Sequence, residues 1–403
     1  MSSNAQIRDV TFTVPERWYR VERQSLIAGI VGAIACIIGA IIYPAEQFLR
    51  SYLVAYMFWL GISLGSLAIV CLIHLTTAQW GFAVRRILEA AARNVSLLTV
   101  LFIPVAVGVT RLYPWAHPGA DRDFLTHLQR PYLNVSMWLL RALLYFIAWN
   151  LSAWALSRWS WLQDAPPDRA YRRRFQNFGG AIVAVYAWTM TFASVDWMMS
   201  LDNHWRSTVY GFYVMAGQGL IGFSFLVIVV VLMWQYRPIS EYFTVTHLHD
   251  IGKLMLAFLI LWAYQAFSQG LIYWSGNLKD EVTWYVNRTT GGWWWIGVAI
   301  ILLHFFVPFF LLLSQSLKRD GSKLIILAVW MLVMRWIDLY WLIIPNFPDT
   351  KGHLNFSWML IASMLGIGGL WVYAFLVNLK AHPLVPRHDP MIYNVIEAQE
   401  HGH

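Results

Sequence analysis

Charge and cysteine are both scarce in this chain of 403 residues. Only 12% of the residues are charged, whereas 59% are hydrophobic, and this balance excludes an ordinary soluble domain. The two cysteines, Cys36 and Cys71, lie in apolar segments and form no CxxC pattern. The sequence therefore predicts neither a cysteine-ligated iron–sulfur cluster nor a covalent c-type haem within this chain.

Other signatures of function are missing as well. No GxGxxG run follows a strand and no GxxxxGK[ST] run occurs, so nucleotide binding has no support. The first 24 residues contain charges and a proline but no apolar core, and we predict no cleaved signal peptide. The formal net charge of +8 is spread over short segments without a continuous basic face, which argues against nucleic acid as a partner.

Long apolar segments dominate what is present. A hydrocarbon core of about 30 Å takes about 20 apolar residues in a helix. Ten segments qualify: 25–43, 52–75, 94–113, 132–157, 177–200, 208–236, 251–276, 293–317, 322–345 and 356–380. We therefore predict an all-α integral membrane protein with about ten transmembrane helices in 25–380, an N-terminal tail at 1–24 and a C-terminal tail at 381–403.

Lys and Arg are distributed unequally between the predicted loops. Most of them lie before the first helix and after the second, fourth, sixth, eighth and tenth helices. By the positive-inside rule, both termini and both tails are predicted to be cytoplasmic.

A few ionisable side chains lie inside the apolar segments, where a charge costs about 2.5–3.5 kcal/mol even on translocon insertion scales. They are Arg141, Asp196, Arg335 and Asp338, with two histidines, His74 and His304. Such residues are the first candidates for a functional site in a membrane protein.

The spacing of these residues predicts two pairs. Arg335 and Asp338 are three residues apart and share one face of the ninth helix. Arg141 is at a depth comparable to that of Asp196 and can reach it from the fourth helix. Two interpretations stay open: the pairs neutralise each other and hold the helices together, or they form a polar cluster that exchanges protons or binds a polar head group.

The histidines give little support for a haem or a metal. His74 and His304 lie at different depths, which argues against a shared haem b. His247, His249 and Asp250 form an H-x-H-D run, for which we predict a cap of the seventh helix, with Asp250 near its N-terminus, rather than a metal site.

The seventh helix also carries a predicted polar face that runs along its length. Its members recur at spacings near three and four: Lys253, Tyr264, Gln265, Ser268, Gln269 and Tyr273. A buried polar face needs partners or water, so it indicates either a polar path or hydrogen bonds between helices.

The matching positions of Asp196 and Asp338 suggest two related four-helix units. The second to fifth helices would form the first unit, at about 52–200, and the sixth to ninth would form the second, at about 208–345. The first and tenth helices would be peripheral.

Three stretches carry a resemblance to a known family. They are DWMMSLDNHWRSTVYGFY (196–213), HDIGKLMLAFLILWAYQAFSQGLIYWSGNLKDEVTWY (249–285) and RWIDLYWLIIP (335–345). They resemble the NrfD/polysulfide-reductase-type membrane subunits, and more narrowly the second such subunit (ActF) of alternative complex III, a quinol:cytochrome c oxidoreductase of the bacterial inner membrane. The resemblance implies two four-helix bundles flanked by two peripheral helices.

The resemblance also implies partners and a role. The partners would be a sister NrfD-like membrane subunit, a periplasmic iron–sulfur protein and c-type cytochrome subunits, which would hold the iron–sulfur clusters and haem c. Quinol would be the substrate of the complex, and this chain would bind no cofactor and conduct protons. The candidates for proton transfer or for a quinone pocket form two groups. One group, central and periplasmic, contains Arg141, Asp196, His304, Arg335 and Asp338. A second group, at the cytoplasmic end, contains His74, His249, Asp250 and Lys253.

Two other functions stay open. A secondary transporter would have repeated halves with charges near the midplane and helices broken at equivalent positions. Pro104 and Pro308 interrupt the third and eighth helices, which do not correspond in a four-helix repeat. A structural anchor for a periplasmic redox module would differ from the proton-conducting subunit only in that its buried charges do not titrate.

Overall fold

The computed structural model describes residues 16–76, 78–117, 129–162, 170–202, 204–350, 352–354 and 356–385. Within these ranges every regular element is helical. Ten helices are long and apolar enough to cross a membrane, which confirms the predicted number and makes the chain a multi-pass membrane protein. They are α1 Arg17–Ile42, α2 Ala45–Thr76, α3 Arg85–Val107, α4 Val135–Leu162, α5 Asn177–Leu201, α6 Tyr210–Met233, α7 Val245–Gly276, α8 Trp293–Leu313, α9 Gly321–Asn346 and α10 Trp358–Lys380.

Helices α1, α2, α3 and α7 begin earlier than predicted. The predicted starts were placed where charged residues stop, but a helix continues through charged residues when their side chains find partners. In α3, the side chains of Arg85 and Arg86 are both buried. Of the predicted tails, 1–15 and 386–403 lie outside the described residues.

The predicted cap of the seventh helix is confirmed for His247 of the H-x-H-D run, but the N-cap residue itself lies earlier in the chain. Thr244 is the N-cap of α7: its hydroxyl accepts a hydrogen bond from the His247 N–H at 3.4 Å, and the His247 Nδ1 accepts one from the Thr244 N–H at 3.3 Å. This reciprocal arrangement satisfies two N–H groups that the first turn leaves unpaired. Asp250 lies further along the helix and pairs with Lys253 at 3.0 Å.

Two prolines disturb the helices in which they lie. The third helix is divided into shorter pieces, Arg85–Arg93, Val95–Leu101 and Ile103–Val107, and Pro104 opens the last of them. In α8, Pro308 follows a π-helical segment, Ile300–Phe306. Proline has no N–H to bond to the carbonyl four residues earlier, so the regular hydrogen-bond pattern is interrupted there.

Helices α2 and α6 form the centre of the molecule. In each of these two helices, 83% of the residues in the most apolar stretch are buried inside the protein. In α1, α7 and α8 only 22% of the corresponding residues are buried, so these three helices lie at the periphery. Helix α6 packs against α2, α5, α7 and α9, and α2 packs against α3, α5, α6, α9 and α10. The grouping of α2–α5 and α6–α9 into two four-helix bundles stays a prediction.

Helix α1 packs on α10 in the antiparallel direction, with backbone against backbone. A Cβ added to Gly32 would lie 2.3 Å from the Gly366 nitrogen, and one added to Gly369 would lie 2.2 Å from the Gly29 nitrogen. Small residues allow the two backbones to approach this closely. In lipid no hydrophobic effect drives helices together, so van der Waals contact of this kind holds them. The end of the molecule where α1 begins and α10 ends is called the terminal side below, and the other end is called the opposite side.

An ion pair ties α2 to the segment that follows α9. Arg50 donates two hydrogen bonds to the Asp349 carboxylate, at 2.6 and 2.7 Å. Its guanidinium also lies 5.4 Å from the centre of the Phe347 ring. The hydrogen bond from Arg50 holds the pKa of Asp349 below its ordinary value. The pair joins two elements that are far apart in the chain on the opposite side of the molecule.

Replacement of Gly32 by leucine should destabilise the protein. The new side chain would overlap the α10 backbone, and overpacking of this kind costs about 1–3 kcal/mol. Gly270→Leu is the matched control, because a Cβ at Gly270 meets nothing within 4 Å. Thermal unfolding in detergent should show a lower midpoint for Gly32→Leu alone. Equal midpoints for the two variants would contradict the close contact.

Removal of the Asp349 carboxylate should destabilise the protein in a pH-dependent way. Because the pKa of Asp349 is lower in the folded state, its contribution is complete above the unfolded value near 3.9 and is lost as pH falls through the folded value. The side chain is 55% exposed, so the contribution is about 0–1 kcal/mol. Asp349→Asn should therefore lower the unfolding midpoint at pH 7 and change it less at pH 3. A difference of the same size at both pH values, or one that persists in an Arg50→Gln background, would count against this pair.

Candidate functional site

Asp196 of α5 is fully buried and receives hydrogen bonds from α4. The Arg141 guanidinium donates to both carboxylate oxygens, from Nε to Oδ2 and from Nη2 to Oδ1, each at 2.8 Å. The Tyr145 hydroxyl donates to Oδ2 at 2.8 Å, and the Trp138 indole donates to the Asp196 carbonyl at 2.9 Å. The three α4 residues are spaced three and four apart and thus share one helix face. Arg141, Tyr145 and Asp196 are called the Asp196 cluster.

Tyr132 covers the outer face of this cluster, just before α4 begins. Its ring centre lies 3.7 Å from the Arg141 guanidinium carbon, and its carbonyl accepts a hydrogen bond from the Arg141 Nη1 at 2.9 Å. Burial, and then the negative charge of Asp196, raise the pKa of Tyr132. The phenol therefore stays neutral and acts as an aromatic cover for the guanidinium.

Asp338 of α9 is the centre of a second buried cluster. The Arg335 Nη1 donates to its Oδ2, as the spacing of the two residues predicts, and the Tyr213 hydroxyl of α6 donates to its Oδ1 at 2.8 Å. The side chains of Arg335 and Asp338 are 1% and 0% exposed. Both charges are thus inside the protein, where a pair survives only with additional hydrogen bonds.

Gly217 provides the space for the Arg335 guanidinium. It lies four residues after Tyr213, on the same face of α6, and a Cβ at this position would be 2.3 Å from the Arg335 Cζ. The guanidinium therefore lies directly on the α6 backbone, and any larger residue would displace it.

His304 lies beside this second cluster, in the π-helical segment of α8. The imidazole is fully buried, its ring is perpendicular to the Trp262 indole at 4.3 Å, and it interacts electrostatically with Arg335. Neither imidazole nitrogen has a hydrogen-bond partner among the described residues, and the same holds for Arg335 Nε. Four helices, α6 to α9, contribute to what is called the Asp338 cluster: Tyr213, Trp262, His304, Arg335 and Asp338.

The five central residues predicted from the sequence thus belong to two clusters rather than one. Each cluster has an aspartate that accepts hydrogen bonds from one arginine and one tyrosine. In the first cluster the arginine comes from the neighbouring helix, and in the second it comes from the same helix as the aspartate. No hydrogen bond or ion pair joins the two clusters in the part of the chain that the structure describes.

The residues predicted for the cytoplasmic end also lie in two places. His74, at the end of α2, stacks on Phe175 at 4.0 Å, and Phe175 in turn lies 5.5 Å from the Arg85 guanidinium. Half-buried His249 lies at the beginning of α7 with the Asp250–Lys253 pair.

The polar face predicted on α7 is buried only at one end. Lys253 and Tyr264 are exposed, whereas Gln269 and Tyr273 are buried. The Tyr273 hydroxyl donates a hydrogen bond to the Arg206 carbonyl. The face therefore makes interhelical and loop contacts near the opposite side and is open to the surroundings near the terminal side.

Two buried groups were not predicted. Glu89 of α3 pairs with Arg85 at 3.1 Å and lies 3.7 Å from Arg86, whose Nη2 donates to the Ser160 carbonyl at 2.8 Å. The only sequence signal was that Glu89 follows Arg85 by four residues and Arg86 by three. These residues lie in a segment that was predicted to be a loop.

Arg288, which was also assigned to a loop, is fully buried in the short helix Lys279–Thr289. It donates hydrogen bonds to the carbonyls of Trp284, Trp341 and Leu342, and burial lowers its pKa to about 9. The carbonyls of Trp341 and Leu342 lie at the end of α9, where the Asn346 Oδ1 accepts a further hydrogen bond from Arg288 at 2.8 Å. Nothing in the sequence points to these contacts between helices.

The fold and the clusters define a multi-pass membrane protein with two buried Arg–Asp–Tyr clusters. No model of a known protein family matches the chain, and a search of curated proteins finds no match either. In the described ranges, no group of three His, Cys, Asp or Glu side chains is placed to hold a metal ion.

Loss of Arg335 should cost more than loss of the whole pair. Arg335→Met leaves Asp338 as a buried charge without a cation, which costs about 3–5 kcal/mol. Arg335→Met/Asp338→Leu removes that charge as well, so it should unfold at a higher temperature than the single variant. Arg237→Met is the control, because the Arg237–Glu241 pair is largely exposed. A double variant less stable than Arg335→Met would contradict the pairing energetics.

Proposed function

We propose that this chain is a cofactor-free membrane subunit of a bacterial quinol:cytochrome c oxidoreductase, and that it moves protons through its buried charged residues. The observation that carries the proposal is the pair of fully buried aspartates, each with one arginine and one tyrosine. Two of the three stretches that resemble the ActF-type subunit, 196–213 and 335–345, contain these aspartates. The resemblance supports the kind of complex, and the clusters support the proton role.

The chemistry of each cluster suits proton exchange without a metal or cofactor. The arginine stays charged and keeps the carboxylate in place, whereas the tyrosine hydroxyl can both donate and accept a hydrogen bond. A proton that arrives at the hydroxyl can therefore pass to the carboxylate as the tyrosine releases its own. In the Asp338 cluster, an imidazole such as that of His304 can accept a proton at one nitrogen and donate from the other.

The proposed orientation places both clusters near the periplasm. Asp196 lies in the last turns of α5 and Asp338 in the second half of α9, and both helices run from the terminal side to the opposite side. With cytoplasmic termini, as the positive-inside rule favours, the clusters would lie on the side where an iron–sulfur protein and c-type cytochromes would accept electrons. A sister NrfD-like subunit would provide the quinol site.

A structural anchor is the second candidate, and one observation favours it. Both oxygens of the Asp196 carboxylate accept hydrogen bonds from Arg141, and one also accepts from Tyr145, which is the arrangement that a cluster holding α4 against α5 requires. The anchor and the proton-conducting subunit have the same partners. They differ in whether the aspartates titrate during turnover.

Gentle purification of the tagged chain from native membranes tests the complex. The proposal expects copurification of multihaem cytochromes, an iron–sulfur protein and a sister membrane subunit, together with quinol:cytochrome c activity. A chain isolated alone, without haem or iron, would refute it and would favour a secondary transporter.

Asp196→Asn tests the proton role in the assembled complex. The variant keeps the shape of the side chain but cannot carry a proton between partners, so the proton yield per quinol should fall while the subunits still copurify. Asp349→Asn is the matched control, because Asp349 also pairs with an arginine but lies outside the membrane-spanning helices. Loss of assembly would favour the anchor, and an unchanged proton yield would contradict proton transfer through Asp196.

A further inference from the structure

The outward face of α7 carries polar side chains in the middle of a membrane-spanning helix. Tyr264 is 62% exposed, and Gln265 and Ser268 are half-buried. The two hydroxyls and the amide form no hydrogen bond with any residue that the structure describes. Tyr264 and Ser268 are four residues apart and share one helix face, with Gln265 at its edge. These three residues are called the α7 polar patch.

The α7 polar patch lies midway across the membrane. The exposed Lys253 marks one end of the apolar part of α7, and Trp274, which is 80% exposed, marks the other end. At about 1.5 Å per residue these two positions are about 30 Å apart along the helix, which is the thickness of the hydrocarbon core. Lysine and tryptophan are typical of the membrane boundaries. Tyr264 and Gln265 therefore lie close to the centre.

Lipid cannot satisfy the α7 polar patch at this depth. Acyl chains contain neither donors nor acceptors, and polar groups without hydrogen bonds are strongly unfavourable in hydrocarbon. On α3 and α4, in contrast, exposed polar side chains are paired within the chain. The Ser96 hydroxyl donates to the Asn150 Oδ1 at 2.7 Å, and the Asn150 Nδ2 donates to the Thr99 hydroxyl at 2.9 Å. The α7 polar patch therefore requires a partner from another molecule.

We propose that a transmembrane helix of another membrane subunit packs on α7 and forms hydrogen bonds with its polar patch. A protein segment in the hydrocarbon core must satisfy its own backbone groups, and a helix does so. Serine, threonine, asparagine or glutamine side chains on this helix would donate to and accept from the patch. The proposal rests on the proposed function only for the identity of the partner, because the sister membrane subunit would supply the helix.

The outward face of α7 has the residue pattern that a second helix requires. Ala257, Leu261, Tyr264, Ser268 and Leu271 follow one another at spacings of four and three, and all of them are exposed or half-buried. Residues at this spacing form a seam along which left-handed helix pairs pack. A second copy of this chain fits less well, because two-fold symmetry would place the large Tyr264 side chains of both copies against each other.

Photo-crosslinking in native membranes tests the contact. The photoreactive residue p-benzoylphenylalanine replaces Tyr264 in the tagged full-length chain, and the adduct is identified by mass spectrometry. We expect an adduct with a membrane-spanning peptide of another subunit that contains serine, threonine, asparagine or glutamine. The same probe at Ile34, which is 52% exposed on α1, is the control and should not give this adduct. An adduct with a second copy of the chain, or with lipid alone, would refute the proposal.

Variants test whether the polar groups hold the contact. Gln265→Leu and Ser268→Ala should each weaken the association with the partner subunit about threefold, the effect of one average hydrogen bond between membrane helices. Ser275→Ala is the matched control, because the Ser275 hydroxyl already donates to the Ile272 carbonyl at 3.1 Å. The unfolding midpoint of the full chain alone should stay the same in all three variants. Association as tight as in the unchanged chain for both Gln265→Leu and Ser268→Ala would overturn the proposal.

The outcomes separate this contact from the proposed function. A complex that copurifies with cytochromes, but in which the probe at Tyr264 reaches no other subunit, would refute the contact and leave the proposed function intact. An adduct with a polar transmembrane helix of a membrane protein outside any respiratory complex would support the contact and contradict the proposed function.

Discussion

A buried carboxylate must have a cation beside it, and much of this structure follows from that requirement. In the protein interior the Asp196 charge is tolerable only because Arg141 binds both of its oxygens, which fixes the register of α4 against α5. Asp338 has the same requirement and meets it with Arg335 from its own helix. The tyrosine of α6 then becomes the link between helices. The need to pair a buried aspartate therefore joins α4 to α5 through an arginine and α6 to α9 through a tyrosine.

The central position of α6 gives the Asp338 cluster its shape. Gly217 allows the Arg335 guanidinium to rest on the α6 backbone, and Tyr213 reaches Asp338 from the same face. On the other side, the π-helical segment before Pro308 presents His304 toward Trp262 and Arg335. A regular α8 would place this imidazole at another angle. The proline and the glycine are thus as necessary to the cluster as its charged residues.

The sequence was sufficient for the features that depend on local patterns. Apolar length predicted ten helices, and a spacing of three predicted the Arg335–Asp338 pair. Tyr145 and Tyr213 were not predicted as partners of the aspartates, because a single sequence does not show the distances between helices. Arg288 was assigned to a loop for a related reason: only the packing of the helices brings it to the carbonyls of Trp341 and Leu342 at the end of α9. The start of α3 was misplaced because buried arginines resemble loop residues in composition.

The contact between α1 and α10 has a consequence for the order of folding. Helix α1 packs chiefly on α10, with a smaller contact with α2, and most of its surface is otherwise exposed. Helix α1 is synthesised long before α10 and therefore meets its main neighbour only after eight intervening helices have been made. Until then the glycines of α1 that meet α10 have no backbone against them. The α1–α10 contact thus forms late, and a chain that stops before α10 would leave α1 without its chief partner.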